Sequence, residues 1–490
     1  MAANTYDFIV VGAGSSGCAV ANRLSSDPAV SVLLLEAGGP DDREAIRVPR
    51  RYFSLWGTDV DWGYVSTPQP GTAGRTHVMP RGRVLGGTSS INGMVYLRGA
   101  ASDYDGWAAS GCPGWEWDCV RHDFDELETW VRPAVLQPHN PLSATMIEAA
   151  VQAGFPRSAT FDNGTLDGAG WNKATVANGE RFNAHRAFIT PVRDRPNLHV
   201  RPETRALRLA MDGTSTRGVL VQSDGGGAET IAAGEVILCA GAFDSPRLLL
   251  LSGIGPGAHL EAVGIVPVAD LPVGDNLIDH LLVGVVYNSL RPITDINAYN
   301  TEACAFTRST RNPGDCDIEI SFAKEPHFAP ETHDGVPRFT IIPGITRPRS
   351  RGTVRLTGSD VDAPLEIDPN YFSHPDDMAV MIEAVHLARE IAEQDALREW
   401  NAGEHFPGPA ANSDSRIANY VARVGSTWFH PVGTCRMGIG TDAVVDPTLR
   451  VNGIEHLRVA DASIMPDIVS VNTQAASMMI GWKGGILAVA

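Results

Sequence analysis

The chain has 490 residues, enough for a large core and for about two domains by ordinary domain size. Its apolar (43%) and charged (20%) fractions fit a soluble globular protein and exclude a disordered or fibrous one. A net charge of −18 argues against nucleic acid or an anionic membrane surface as partner.

Tyr6-Asp7-Phe8-Ile9-Val10-Val11 predicts a short buried strand. Gly12-Ala13-Gly14-Ser15-Ser16-Gly17 follows at once, and Cys18 to Leu24 predicts a helix. Ser31 to Leu35 is a second buried strand, with Glu36 at its end, 19 residues after Gly17. Strand, tight turn, helix, strand and acid make the βαβ dinucleotide fingerprint. Gly12 permits the turn, Gly14 lets backbone approach a pyrophosphate, and Gly17 lets the helix pack close. The helix N-terminus offers N–H groups and a positive dipole end to that pyrophosphate. Glu36 accepts from a ribose. Which dinucleotide binds is open at this point.

Ala37-Gly38-Gly39-Pro40 ends the unit, and residues 41–80 read as an excursion across the surface. Arg81-Gly82-Arg83-Val84-Leu85-Gly86-Gly87-Thr88-Ser89-Ser90-Ile91-Asn92-Gly93-Met94 is rich in glycine and hydroxyls, with a short helix expected from Ser89. It reads either as backbone laid against a ligand or as a capped turn. A helix is expected over 143–153, and strands over 198–200, 206–209, 218–221 and 235–241. The last closes on Gly241, as a strand entering a ligand crevice does. Ser245-Pro246 then opens a helix with proline in its first turn. From about 290 to 425, period-two segments at 317–322, 338–342 and 352–356 predict a half-exposed antiparallel sheet. A helix capped at 373–377 is expected to bury Met378, Ile382, Val385 and Ile391.

Toward the end, Thr427-Trp428-Phe429-His430-Pro431 sets a histidine between aromatics and proline. Leu457 to Pro466 is a strand running into a turn, and Asn472-Thr473-Gln474 precedes a last helix. Asn472 reads equally as a helix cap or as a catalytic group. The seven cysteines are odd in number and scattered, without paired zinc-ligand spacing. They predict reduced structural thiols, no metal and a cytoplasmic protein. No signal peptide or membrane span is expected.

Five elements in order resemble the glucose–methanol–choline (GMC) family of FAD-dependent oxidoreductases. They are Gly12 to Gly17 with Glu36, Gly82 to Asn92, Gly241 to Gly255, Val273 to His280, and His430 to Thr434 with Asp461-Ala462-Ser463 and Asn472. The resemblance implies an α/β fold: a Rossmann-like FAD domain from 1–155, 196–289 and 426–490, and a substrate domain from 156–195 and 290–425. It implies cofactor contacts at Gly12, Gly14, Ser15, Ser16, Gly17, Glu36 and Ala37, and at Arg83, Leu85, Gly86, Gly87 and Thr88. Asn92, Gly93, Met94 and Val95 would pass beside the flavin ring. Ala206, Ala240, Gly241, Asp461, Ala462, Asn472 and Thr473 would contact the rest of the cofactor. One subgroup with covalent flavin has a histidine directly before that asparagine. Ile91 stands here, so FAD is expected to be non-covalent.

His430 and Asn472 occupy the family's catalytic pair, implying oxidation of an alcohol with His430 as base. Trp428 and Phe429 are expected to line a pocket for a primary aromatic, furanic or apolar alcohol. A sugar, amino-sugar or choline-type alcohol is the alternative, and a hydroxynitrile lyase is the alternative of another class. The expected partners are that alcohol and O2 or another electron acceptor. His280 is expected to be a packed, hydrogen-bonded residue.

Overall fold

In the computed structural model, which describes residues 5–294, 299–331 and 334–490, the strand Thr5–Val11 is central, not peripheral. It lies parallel between Val32–Leu35 and Ala228–Leu238. Leu198–Arg201 continues the parallel sheet on one side, and Leu457–Val459 pairs with the far end of Ala228–Leu238. The hairpin Thr204–Asp212 and Ser215–Ser223 completes this seven-stranded sheet. Val32–Leu35 is apolar at every position because both faces of a parallel sheet are covered. The parallel strands end on one edge. Just beyond those ends stand Gly12, Glu36, Ala240 and Asp461.

Two close approaches fix the helices on this sheet. A Cβ on Gly17 would lie 1.9 Å from the Gly12 carbonyl oxygen, so only glycine lets the helix Ser15–Leu24 cross there. A Cβ on Gly481, in the last helix Gln474–Val489, would lie 2.3 Å from the Ser16 carbonyl oxygen. The first and last helices are therefore packed backbone to backbone.

The second sheet is antiparallel and runs Asn401–Phe406, Val285–Ser289, Arg338–Ile345, Ile318–Ala323, Ala303–Thr307 and Gly168–Trp171. Leu281–Leu282 and Ser426–Thr427 add to it. The helices Pro141–Gln152 and Pro375–Ala392 share its core. Leu142, Met146 and Ile147 bury there, so we place the first crossing between the halves near residue 140, not 155. An amphipathic helix carries no sign of which sheet it will cover.

Several expectations give way. The sheet is not half-exposed: Ile318–Ala323 and Arg338–Ile345 are buried at every residue. The polar alternates Glu319 and Ser321 face the interior, not solvent. In Pro375–Ala392 the fully buried residues include Val380, Met381, Ala384 and Ala388, while Met378 and Ile382 are half-buried. No helix follows Ser89; one 3-10 turn spans Gly87–Ser90. Residues 41–80 do not merely cross the surface. Ile46, Leu55 and Val60 form a small core with Val84 and Ile91.

The helix Gly241–Leu251 starts earlier than Ser245, which puts Pro246 in its interior. Proline has no N–H to give the carbonyl four residues back, that of Ala242. The Thr434 hydroxyl donates to that carbonyl instead (2.7 Å). Thr434→Val will therefore lower stability by about 1–3 kcal/mol, the range for an orphaned buried acceptor. In a Pro246→Ala background the restored N–H serves the same carbonyl and the loss shrinks. Urea midpoints of the four proteins test this; equal losses in both backgrounds would contradict it.

Candidate active site

One cleft runs between the two sheets, from the glycine turn to His430. Its first end is lined by Gly12, Gly14, Ser15, Ser16, Glu36, Ala37 and Ala206. The Glu36 carboxylate accepts from the Ala13 N–H (3.0 Å) and the Gly38 N–H (2.8 Å), tying the second strand to the glycine turn. Burial pushes its pKa up to about 7. The middle is lined by Gly87, Thr88, Ala240, Gly241, Asp461 and Ala462. Asp461 accepts from Gly241 N–H, the Ser245 hydroxyl, and both the N–H and hydroxyl of Ser463. Its lone pairs are spent on holding two strand ends together. Gly17, Arg83, Leu85 and Gly86 do not line the cleft. Gly17 lies beneath the turn. Gly86 N–H donates to the Ala13 carbonyl and Leu85 N–H to the Gly39 carbonyl, bracing the turn from behind. The Arg83 guanidinium lies over the Trp62 ring at 5.2 Å.

The far end holds Asn92, Gly93, Met94, Val95, Trp428, Phe429, His430, Asn472 and Thr473. His430 is fixed through its backbone: its N–H donates to Asp279 (2.8 Å), a buried carboxylate that also accepts from Tyr371 (2.6 Å) and Thr427. Phe429 has φ +65°, a left-handed conformation costly for a bulky residue. Arg81 donates to its carbonyl and its N–H donates to the Thr427 hydroxyl (2.7 Å). These bonds hold the strained residue with its ring in the cleft.

The two histidines are coupled. His280 Nε2 lies 2.9 Å from the Thr346 carbonyl oxygen, and His280 Nδ1 lies 3.0 Å from His430 Nδ1. A carbonyl only accepts, so His280 carries its proton on Nε2. Burial holds His280 neutral, with its pKa lowered to about 3. Its Nδ1 is then bare and accepts from His430 Nδ1–H. His430 is neutral as well, its pKa pushed well below 6.5 by burial and then by His280 and Arg81. Its Nε2 lone pair therefore faces the cleft, where Asn472 Nδ2 donates to it at 3.2 Å. Asn472 does not cap the last helix, and its buried Oδ1 has no partner.

Sequence reasoning missed an aromatic circuit here. Phe53–Trp56 (4.6 Å), Trp56–Phe429 (4.7 Å), Phe429–Phe328 (6.2 Å), Phe328–His327 (5.9 Å) and His327–Phe53 (5.1 Å) close on themselves. The density of aromatics in Tyr52-Phe53-Ser54-Leu55-Trp56 was the available signal. Ser321 and Ile342 of the second sheet complete the wall.

The sequence model of the GMC oxidoreductase family matches residues 6–282 and, in its C-terminal part, 348–481. The chain belongs to the GMC oxidoreductase family. It is 37% identical to an oxygen-dependent choline dehydrogenase of Brucella canis, over 97% of this chain and 94% of that one. An alcohol dehydrogenase (acceptor) of Pseudomonas putida is 36% identical with the same coverage. The crystal structure of a pyridoxine 4-oxidase from "Mesorbium loti" matches with TM-score 0.92 and 33% identity, covering 98% of each chain.

This GMC oxidoreductase is thus an FAD-dependent oxidoreductase, and its cleft fits that cofactor. The helices Ser15–Leu24 and Gln474–Val489 both begin at the cleft without a side-chain cap. Their free N–H groups suit anionic or carbonyl oxygens. A Cβ on Gly87 would lie 2.6 Å from Gly14 Cα, so the two glycine turns press together where a pyrophosphate would lie. No helix among the described residues is long and apolar enough to cross a membrane, and no metal-ligating cluster occurs among them.

The depressed basicity of His430 has a kinetic signature. A base with a pKa well below 6.5 stays unprotonated above that value. The rate of flavin reduction by substrate should stay flat from pH 8 to pH 6, and an inflection near 6.5 would rule out the neutral pair. His280→Leu should slow reduction about tenfold or more, while His280→Gln, which keeps an acceptor for His430 Nδ1–H, should lose less.

Proposed function

We propose that this enzyme oxidises a primary aromatic or furanic alcohol to its aldehyde, with His430 as base and Asn472 as its positioning partner. The observation that carries this reading is the Nε2 lone pair of His430 aimed into a cleft end enclosed by five aromatic side chains. A flat aromatic substrate packs against such walls with favourable edge and face contacts. Among the described residues, the carboxylates lining the cleft are Glu36, Asp244 and Asp461, all on the side of the parallel strand ends. None of these three stands in the aromatic circuit; Glu325 reaches it only through His327, 3.3 Å away, and does not itself line the cleft, which favours a neutral substrate over choline. The pyridoxine 4-oxidase and the alcohol dehydrogenase named above act on alcohols of this kind or class, which is consistent with the reading.

Bound FAD supplies the acceptor for hydride from the carbinol carbon. Glu36, Ala37 and Ala206 would hold its adenosine, and the glycine turns its pyrophosphate. His430 Nε2 receives the hydroxyl proton, and the charge on the substrate oxygen offsets the cost of a buried imidazolium. For that transfer Asn472 Nδ2 yields the Nε2 lone pair to the substrate hydroxyl and donates to the hydroxyl oxygen instead. Its unpartnered Oδ1 is available to the substrate hydroxyl or the cofactor. The aromatic walls exclude water. Thr473 and Gln474, at the uncapped start of the last helix, offer N–H groups to a developing negative charge.

FAD is held without a covalent bond in this reading, because Ile91 occupies the position that carries a linking histidine elsewhere in the family. Acid precipitation should leave a white pellet and a yellow supernatant; colour that stays with washed protein would contradict it. His430→Ala should slow anaerobic flavin reduction by ~10²-fold or more with flavin still bound. An anaerobic panel of benzylic, furanic, pyridine-methanol, sugar and choline alcohols tests the substrate. Rapid bleaching by the aromatic members is expected. Faster bleaching by choline would overturn the substrate class, and cyanide release from cyanohydrins without bleaching would overturn the reaction.

A further inference from the structure

Arg181 is a buried cation without a counterion. It is 1% exposed, at the end of the short strand Glu180–Arg181. Its Nε donates to the Ile46 carbonyl (2.9 Å). One terminal nitrogen donates to the Ser89 carbonyl (3.1 Å) and to Asn92 Oδ1 (2.9 Å). The other terminal nitrogen has no hydrogen-bond partner. Its partners are all neutral, and among the described residues no carboxylate pairs with it. The one titratable side chain acting on it is Tyr52, whose own pKa burial raises far above neutrality. A guanidinium taken out of water without a carboxylate is unfavourable. Burial lowers its pKa only to about 9, so it keeps its charge at neutral pH.

Its position gives that charge a use. Asn92, which accepts from Arg181, lines the cleft and follows Ile91, whose carbonyl accepts from Trp56 of the aromatic circuit; Tyr52 lines the cleft too, 6.0 Å from the Trp56 ring. Asn92 Nδ2 donates in turn to Gln474, the first residue of the last helix. Arg181 thus stands immediately behind the wall at the His430 end. The other groups facing this end are neutral or balanced: His430 and His280 are uncharged, Arg81 acts with Asp279 and Asp61, and the Glu325 carboxylate lies 3.3 Å from His327 with Lys324 and Arg50 also acting on it.

We propose that Arg181 is the fixed positive charge that stabilises reduced FAD. The inference rests on the reading that the flavin ring lies at the His430 end. Oxidised flavin takes a hydride, two electrons and one proton, and is left with one negative charge unless a second proton follows from solvent. A buried cation behind the ring wall favours that anion and so favours reduction. Arg181 touches neither substrate nor cofactor. It acts through its field and through Asn92, as a positioning and electrostatic residue.

The test is the midpoint potential of the flavin in holoenzyme, read against redox dyes, for the native protein, Arg181→Met and Arg181→Lys. Arg181→Met should lower it by at least about 30 mV, the equivalent of a tenfold shift in a two-electron equilibrium. Arg181→Lys, which keeps the charge, should recover most of that. A native potential in Arg181→Met, or equal losses in both variants, overturns the proposal. Should Arg181→Met fail to fold, Arg181→Gln, which keeps a polar side chain and loses the charge, takes its place with the same expected loss, and the native holoenzyme supplies a second requirement. Reduced by dithionite and titrated with acid, its flavin should keep the anionic spectrum below the pH at which free reduced flavin becomes neutral. Neutralisation at the same pH as the free form overturns the proposal. Dye and dithionite need no alcohol, so the outcome is independent of the substrate. A protein that binds no flavin at all would count against the cofactor reading instead.

Discussion

The carbonyl of Thr346 can only accept, and the chemistry at the far end of the cleft depends on that. Through His280 it dictates which nitrogen of His430 is bare. An exposed imidazole would sample both tautomers and its protonated form. Burial removes the charged form, and a single backbone oxygen removes the wrong tautomer. The tautomer of His430, and with it the base we propose, is thereby set by one main-chain oxygen just past the strand Arg338–Ile345, two residues deep.

Two buried carboxylates hold the site's remaining seams. Asp279 gathers Tyr371, Thr427 and the His430 backbone, so the loop bearing His430 is anchored to the antiparallel half. Asp461 gathers Gly241, Ser245 and Ser463, so two parallel strand ends stay in register around the cleft. Both have raised pKa values from burial, and both are compensated by several donors apiece. The cleft is thus a joint between halves, each half contributing one face and one carboxylate anchor.

The N-terminal βαβ unit was legible because its signal is local: apolar period, glycine spacing and an acid after the second strand. The strands and most helices followed for the same reason. What escaped notice was long-range. Period-two alternation in Ile318–Ala323 meant that one face is polar, but not that this face meets a cleft wall in place of water. Phe53, His327 and Phe429 lie in three distant segments, and no sequence spacing brings them together. His280 was legible as a packed histidine, and its contact with His430 was not. Asn472 looked like a cap because caps are local; its actual partner lies 42 residues away. Pro246 looked like a helix start because the hydroxyl that rescues its helix interior comes from Thr434.

The packing of the first helix against the last, through Gly17 and Gly481, bears on how the chain is made. Thr5–Val11 is sandwiched by a strand ending at Leu238, which in turn pairs with Leu457–Val459. The ribosome delivers that last partner roughly 22–90 s after the first strand, at about 5–20 residues per second. For that interval a strongly apolar βαβ unit has one uncovered helix face and no completed sheet. Chains of such high sequence separation fold slowly and expose aggregation-prone edges while they wait. Yield in a heterologous host is therefore governed by what shields the nascent N-terminal third, and trimming the C-terminal helix would damage the beginning of the protein as much as its end.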